Sequence, residues 1–290
     1  MPQLALLLTT LIWGATFPAT KVALEQMSPL AFLLARFLLG ALLVVGIYLV
    51  LGRWLRLDRR HVGPVAVLTI LLVAGFVTQT VGLRDTTVAN SAFITALYVV
   101  FVPLMLRRFE ARIWLSAGLA LWGLWLLTNP SVSLNVGDFW TLGCALAFAA
   151  YIAGLERYAR TLDPWALFLW QTLFSAALLV PVLGLESNGW QVTAWPVLLV
   201  ALCITGVLAT GAMAVQIWAQ RHLPAQRVAL LFALEPVFAA WLAWLVLGEH
   251  LSAAGWLGSA LILTAVVFGA LTTNDRLPAP VPSTSPSTYP

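Results

Sequence analysis

The chain has 290 residues, of which 61% are hydrophobic and only 9% charged, with a mean hydropathy of +0.95 and a net charge of +4. That balance excludes a soluble globular domain, where about a quarter of the residues are charged, and so small a positive charge excludes nucleic acid as a partner. What remains is an all-α integral membrane protein, because roughly 20 apolar residues cross the hydrocarbon core as a helix and the apolar stretches lack the alternation of a β-barrel strand.

Ten segments reach the required length: 3–23, 30–51, 62–83, 88–106, 112–128, 137–158, 164–184, 196–220, 225–247 and 252–272. Span one has neither a basic start nor a small-residue cleavage site, so it is expected to be retained as a helix and not removed as a signal peptide. Its Pro18 takes one donor from the helix and is expected to break it, freeing the carbonyl of Gly14 beside Trp13, Thr16 and Phe17. Trp13 sits at midspan, away from the interface that Trp prefers; a pocket wall and a packed core both fit it.

Arg36 in span two suits the carboxylate of a substrate, or a structural role in which it snorkels outward or pairs with Glu25. Gln79 near the end of span three is a second candidate contact. In span four, Ala89, Ala92 and Ala96 permit close helix packing, and Tyr98 places a hydroxyl at mid-depth that needs a partner. Phe148 and Tyr151 in span six lie at the depth that Trp13 and Thr16 occupy in span one. Gln171 and Gln216 sit nearer the ends of their spans and carry less weight.

Span nine contains ALLFALEPVFAAWLAW, in which Glu235 lies about ten residues in, roughly 15 Å deep at 1.5 Å per residue. An ionised group there costs on the order of 3 kcal/mol, so it faces the bundle interior or water. Pro236 beside it leaves the carbonyl of Phe232 without its usual donor, giving a second helix break. The acid then either lines a cavity that accepts an ammonium or a proton, or hydrogen-bonds to a neighbouring helix and locks the fold. Gly255 and Gly258 in span ten read as packing positions. Residues 275–290, rich in proline and poor in anything that can be buried, are expected to form a disordered cytoplasmic tail.

Cys144 and Cys203 fall in different spans and His61, His222 and His250 in separate loops, so no metal site and no cofactor are expected. A single mid-depth carboxylate without a His or Asp companion, and no phosphate-binding glycine loop, argue against an enzyme. Twelve Lys and Arg residues flank one set of loop ends, including Arg53, Arg108, Arg160 and Arg276, while only Lys21 and Arg84 flank the other. By the positive-inside rule both termini are cytoplasmic, as an even number of crossings requires. Lys21 opposes that rule locally.

A faint internal match pairs Trp13 with Phe148, Phe17 with Ile152, Pro29 with Pro164 and Leu43 with Leu178, each 135 residues apart. Each half holds five spans, an odd number, so the halves 1–130 and 131–274 are expected to be repeats of inverted topology, a common carrier design.

The segments IWGATFP at 12–18, ARFLLGALL at 35–43, ALEPVFAAWLAWLVLGEHLS at 233–252 and WLGSALILTAVVFG at 256–269 resemble the drug/metabolite transporter superfamily, in its ten-span EamA branch. The resemblance implies a central cavity and export of small metabolites, with exporters of aromatic amino acids of the YddG type as the nearest likeness. It also implies a bacterial inner-membrane location, amino acids as the small-molecule partner, lipid around the bundle and a monomer working by alternating access. The candidate binding set is Trp13, Thr16, Phe17, Gln79, Tyr98, Phe148, Tyr151 and Glu235, with Arg36 for a carboxylate and breaks at Pro18 and Pro236. The first half carries Tyr98-Val99 where the second has Glu235-Pro236, so any acidic site is asymmetric. A carrier of phosphorylated metabolites or nucleotide sugars is the alternative, and it would need several convergent cations.

Overall fold

Ser28-Pro29 and Asp163-Pro164 begin two helices in the same way. The Ser28 hydroxyl accepts from the amide of Ala31, and Asp163 Oδ1 from that of Ala166, while each proline occupies a first-turn position where no donor is lost. These caps open spans two and seven in the computed structural model of the chain, which describes residues 1–52, 56–129, 134–159, 161–181, 192–247 and 252–272. The expected tail with Arg276, and His250, Arg53 and Arg160, lie outside the described residues.

Every regular element among the described residues is helical. Among the described residues, nine stretches are long and apolar enough to cross a bilayer. They are span one (Pro2–Ala23), two (Pro29–Val50), three (Arg59–Asp85), four (Val88–Met105), five (Ala111–Thr128), six (Val136–Tyr158), eight (Trp195–Ala219), nine (from Ala225) and ten (Ala253–Thr272). Span seven, Pro164–Leu179, is shorter at 16 residues. Large apolar side chains such as Leu42, Trp122, Phe139 and Leu199 are exposed around the outside while threonines, glutamines and Glu235 are buried within. That inversion of the soluble pattern suits lipid as the surrounding solvent, and the chain is a multi-pass membrane protein.

Three spans depart from a plain α-helix. Span four consists of Val88–Ala96 and Tyr98–Met105, divided at Leu97. Span nine consists of Ala225–Phe232 and Glu235–Leu247, divided at Ala233–Leu234. Span eight carries a π-helical stretch, Cys203–Leu208. The division in span nine follows from Pro236, which cannot donate to the carbonyl four residues earlier, that of Phe232. Span one, by contrast, runs from Pro2 to Ala23 unbroken through Pro18. The break expected there is absent, since the loss of one donor leaves the bonds on either side in place and membrane helices tolerate it.

Spans three and six pack together along their length, as do spans five and ten; span one packs on spans eight and nine, and span two on span seven. Glycines set the closest approaches. A Cβ on Gly123 of span five would fall 2.6 Å from the carbonyl oxygen of Gly258 in span ten, and one on Gly14 of span one 2.8 Å from that of Glu235 in span nine.

Candidate functional site: a polar cavity between the helix breaks

The two broken helices aim their second halves at the same place. Tyr98 is the first residue of Tyr98–Met105 and Glu235 the first of Glu235–Leu247. Both side chains are buried, at 2% and 5% exposure, and the Tyr98 hydroxyl lies beside the Glu235 carboxyl. Neither side chain meets lipid. They face a cavity inside the bundle, whose wall also takes in Arg36, Gln79 and Gln216.

All nine candidate contact residues border this one cavity: Trp13, Thr16, Phe17, Arg36, Gln79, Tyr98, Phe148, Tyr151 and Glu235. Pro18 and Pro236 do not border it. The spans contribute in a regular way, because Trp13 and Thr16 project from span one on successive turns of one face, and Phe148 and Tyr151 do so from span six. Aromatic edges fill the walls. Trp13 packs on Phe232 with ring centroids 4.8 Å apart, and Phe76 meets Phe148 edge-on at 5.1 Å. A Cβ on Gly75 would fall 2.3 Å from the Phe148 ring, so this glycine makes room for that edge.

Arg36 neither snorkels nor pairs with Glu25. It is 5% exposed, its guanidinium carbon stands 4.1 Å from the centroid of Phe76, and no carboxylate lies within ion-pair distance of it among the described residues. A guanidinium over an aromatic face is held by the ring quadrupole and keeps its donors for another acceptor. Among the lining residues it is the sole cation and Glu235 the sole anion.

Several polar groups on the wall are already engaged. Thr16 Oγ1 donates to the Trp13 carbonyl at 2.7 Å and Gln79 Nε2 to Thr95 Oγ1 at 3.4 Å. Gln171 Nε2 donates to the Tyr151 hydroxyl at 2.8 Å. Gln216 Nε2 donates to Gln220 Oε1 at 2.8 Å, and Gln220 in turn to the Ile152 carbonyl at 3.1 Å. Trp13 Nε1 and Gln216 Oε1, by contrast, are buried without a protein partner among the described residues. Buried polar atoms in native proteins are nearly always satisfied, so a free donor and a free acceptor on one wall suit a polar guest. The cavity leaves about 30 Å³ for the centres of water molecules; one ordered water needs about 10–15 Å³ on that measure.

Sequence reasoning passed over Leu72, Phe76, Ile152 and Phe232, and gave Gln216 little weight. Four of the five are apolar residues in apolar helices, with nothing to set them apart. Gln216 lies one turn from the end of its span, yet the cavity extends that far along span eight. Cys144 is buried next to Thr95, and Cys203 is exposed. No group of His, Cys, Asp and Glu among the described residues has the geometry of a metal site.

The profile of the EamA-like transporter family matches residues 1–129 and again 135–270. The chain is 34% identical to an uncharacterized transporter of Archaeoglobus fulgidus, over 93% of this chain and 85% of that one. It is 28% identical to the uncharacterized transporter YwfM of Bacillus subtilis, over 91% of this chain and 92% of its relative. A solved crystal structure at 18% identity superposes with a TM-score of 0.74, covering 93% of this chain and 96% of that one, which establishes the likeness of fold.

Proposed function

The chain belongs to the EamA-like transporter family, and from that premise we propose that it exports amino acids, aromatic ones preferred, through the cavity around Glu235. The observation that carries this reading is the single guanidinium and single carboxylate set on a wall whose other residues are uncharged and mostly aromatic or apolar. An amino acid presents the complement: a carboxylate for Arg36, an ammonium for Glu235 and Tyr98, and an apolar or aromatic side chain for Trp13, Phe148 and Phe232. Trp13 Nε1 and Gln216 Oε1 offer one further donor and acceptor.

Transport proceeds by alternating access of two inverted halves, residues 1–130 and 131–274. Three features support this. The half-helices of spans four and nine begin at Val88 and Ala225 and again at Tyr98 and Glu235, in both cases 137 residues apart. The packing of spans three and six has its counterpart in that of spans eight and one, and the pairs two–seven and five–ten each map onto themselves. The family profile also matches the chain in two successive segments. The twelve-to-two division of cations supports a bacterial inner-membrane protein with both termini in the cytoplasm.

Uptake of labelled phenylalanine or tryptophan into proteoliposomes tests the substrate class. Flux that unlabelled aromatic amino acids compete for is expected; the absence of any amino-acid flux from folded protein rejects it.

A further inference from the structure

The cavity lies between two polar bridges, one at each end of spans four and six, and each bridge joins the first five spans to the last five. Just ahead of span four, Thr86 Oγ1 donates to Asp138 Oδ1 of span six at 2.5 Å, and Asn90 Nδ2 reaches the same oxygen at 3.5 Å. Asp138 is 3% exposed and also closes a capping box with Asn135. Beyond the other end of span four, the fork of Arg108 meets Glu156 of span six and Gln226 of span nine, with Nη1 3.2 Å from Glu156 Oε2. Glu156 Oε2 also accepts from the amide of Ala225, at 2.5 Å, where span nine begins.

Each bridge is braced inside one half by a residue in matching register. Lys21 and Glu156 are 135 positions apart, the offset that also relates Pro29 to Pro164. Lys21 Nζ donates to the carbonyls of Leu83, Arg84 and Thr86 at 2.7, 3.2 and 2.8 Å, holding the end of span three and the turn that leads into span four. Glu156 holds the amide that opens span nine. Their opposite charges follow from the helix ends they face, carbonyls for the lysine and an N–H for the glutamate. Thr86 belongs to both brace and bridge at its face, and Glu156 to both at the other. This also accounts for a lysine on the side of the molecule that the cation bias leaves otherwise poor.

We propose that the Thr86/Asn90–Asp138 bridge and the Arg108–Glu156/Gln226 bridge are the two gates of the carrier, one per membrane face. Both are made in this structure, and the cavity between them has room for only a few water molecules. Access passes to one face when its bridge breaks while the other holds. The inference rests on the family's transport function and not on which solute the cavity takes.

The test is a thiol reporter. Thr16→Cys is placed on the cavity wall in a background with Cys144→Ala and Cys203→Ala, and a membrane-impermeant maleimide is applied to one face at a time in vesicles of defined sidedness. Arg108→Gln is expected to speed labelling from the Glu156 face by about tenfold or more, the population shift that loss of a charge-assisted fork produces, with no gain from the opposite face. Asp138→Asn gives the mirror result. Arg108→Lys keeps the charge without the fork, and Thr86→Val removes the hydroxyl while sparing the capping box. Each of these milder variants speeds labelling at its own face, so a folding failure of the first pair leaves the question answerable. Folded variants that speed labelling from both faces alike, from the wrong face or from neither overturn the proposal. Correct labelling without amino-acid flux would instead retain the gates and reject the substrate class.

Discussion

Glu235 and Tyr98 stand at equivalent places, each the first residue of a half-helix, yet only Glu235 brings a carboxyl group. The asymmetry gives the cavity a direction, with an acceptor for cations on span nine and a guanidinium on span two. Glu235→Gln keeps the volume and one acceptor oxygen but loses the charge. It is expected to slow amino-acid flux by about ten- to a hundredfold, the worth of a charge-assisted hydrogen bond at ~1.5–3 kcal/mol, while thermal unfolding in detergent stays near that of the parent. A variant that fails to fold would show that the acid serves to lock the bundle. Arg36→Gln should weaken competition by phenylalanine and leave that by phenethylamine, which has no carboxylate, nearly unchanged. Equal losses for the two competitors would assign Arg36 to packing over Phe76. These residues are legible in the sequence because polar groups are costly at that depth and therefore conspicuous; Phe76 and Phe232, which complete the wall, are hidden among 14 phenylalanines.

The helix breaks divide into a legible one and a silent one. In span nine the proline falls four residues after Phe232, so the interruption ahead of Glu235 follows from backbone chemistry. In span four the division at Leu97 has no proline four residues later, and we have no physical account of it from the residues alone. The π-helical turn at Cys203–Leu208 is equally unmarked in sequence. Pro18 shows the converse, a proline that the helix accommodates. Pro236→Ala restores a donor to the Phe232 carbonyl and is expected to stabilise the protein by about 1 kcal/mol while slowing flux, as the second half of span nine loses its freedom to tilt. Faster flux with a straightened helix would count against the break as a working part.

For the whole molecule, spans five and ten form a glycine-lined seam away from the cavity, packed closely along their length. Gly123→Leu forces a side chain into the backbone of span ten. Such overpacking costs about 1–3 kcal/mol, visible as a lower melting temperature, whereas the specific flux of the protein that still folds should remain close to normal. A reporter fused to the C-terminus should be protected from external protease in intact cells, in keeping with the cation bias. The repeated crossing of the bilayer is legible because lipid imposes length and apolarity on every span. Which spans touch is much less so, since contacts such as Gly82 on Gly137 or Gly14 on Glu235 depend on single missing methyl groups.

An interior with room for a water molecule or two cannot support a continuous file of hydrogen-bonded solvent from one compartment to the other. Vesicles that hold the protein without solute are therefore expected to keep an imposed pH gradient, as read by an entrapped pH-sensitive dye.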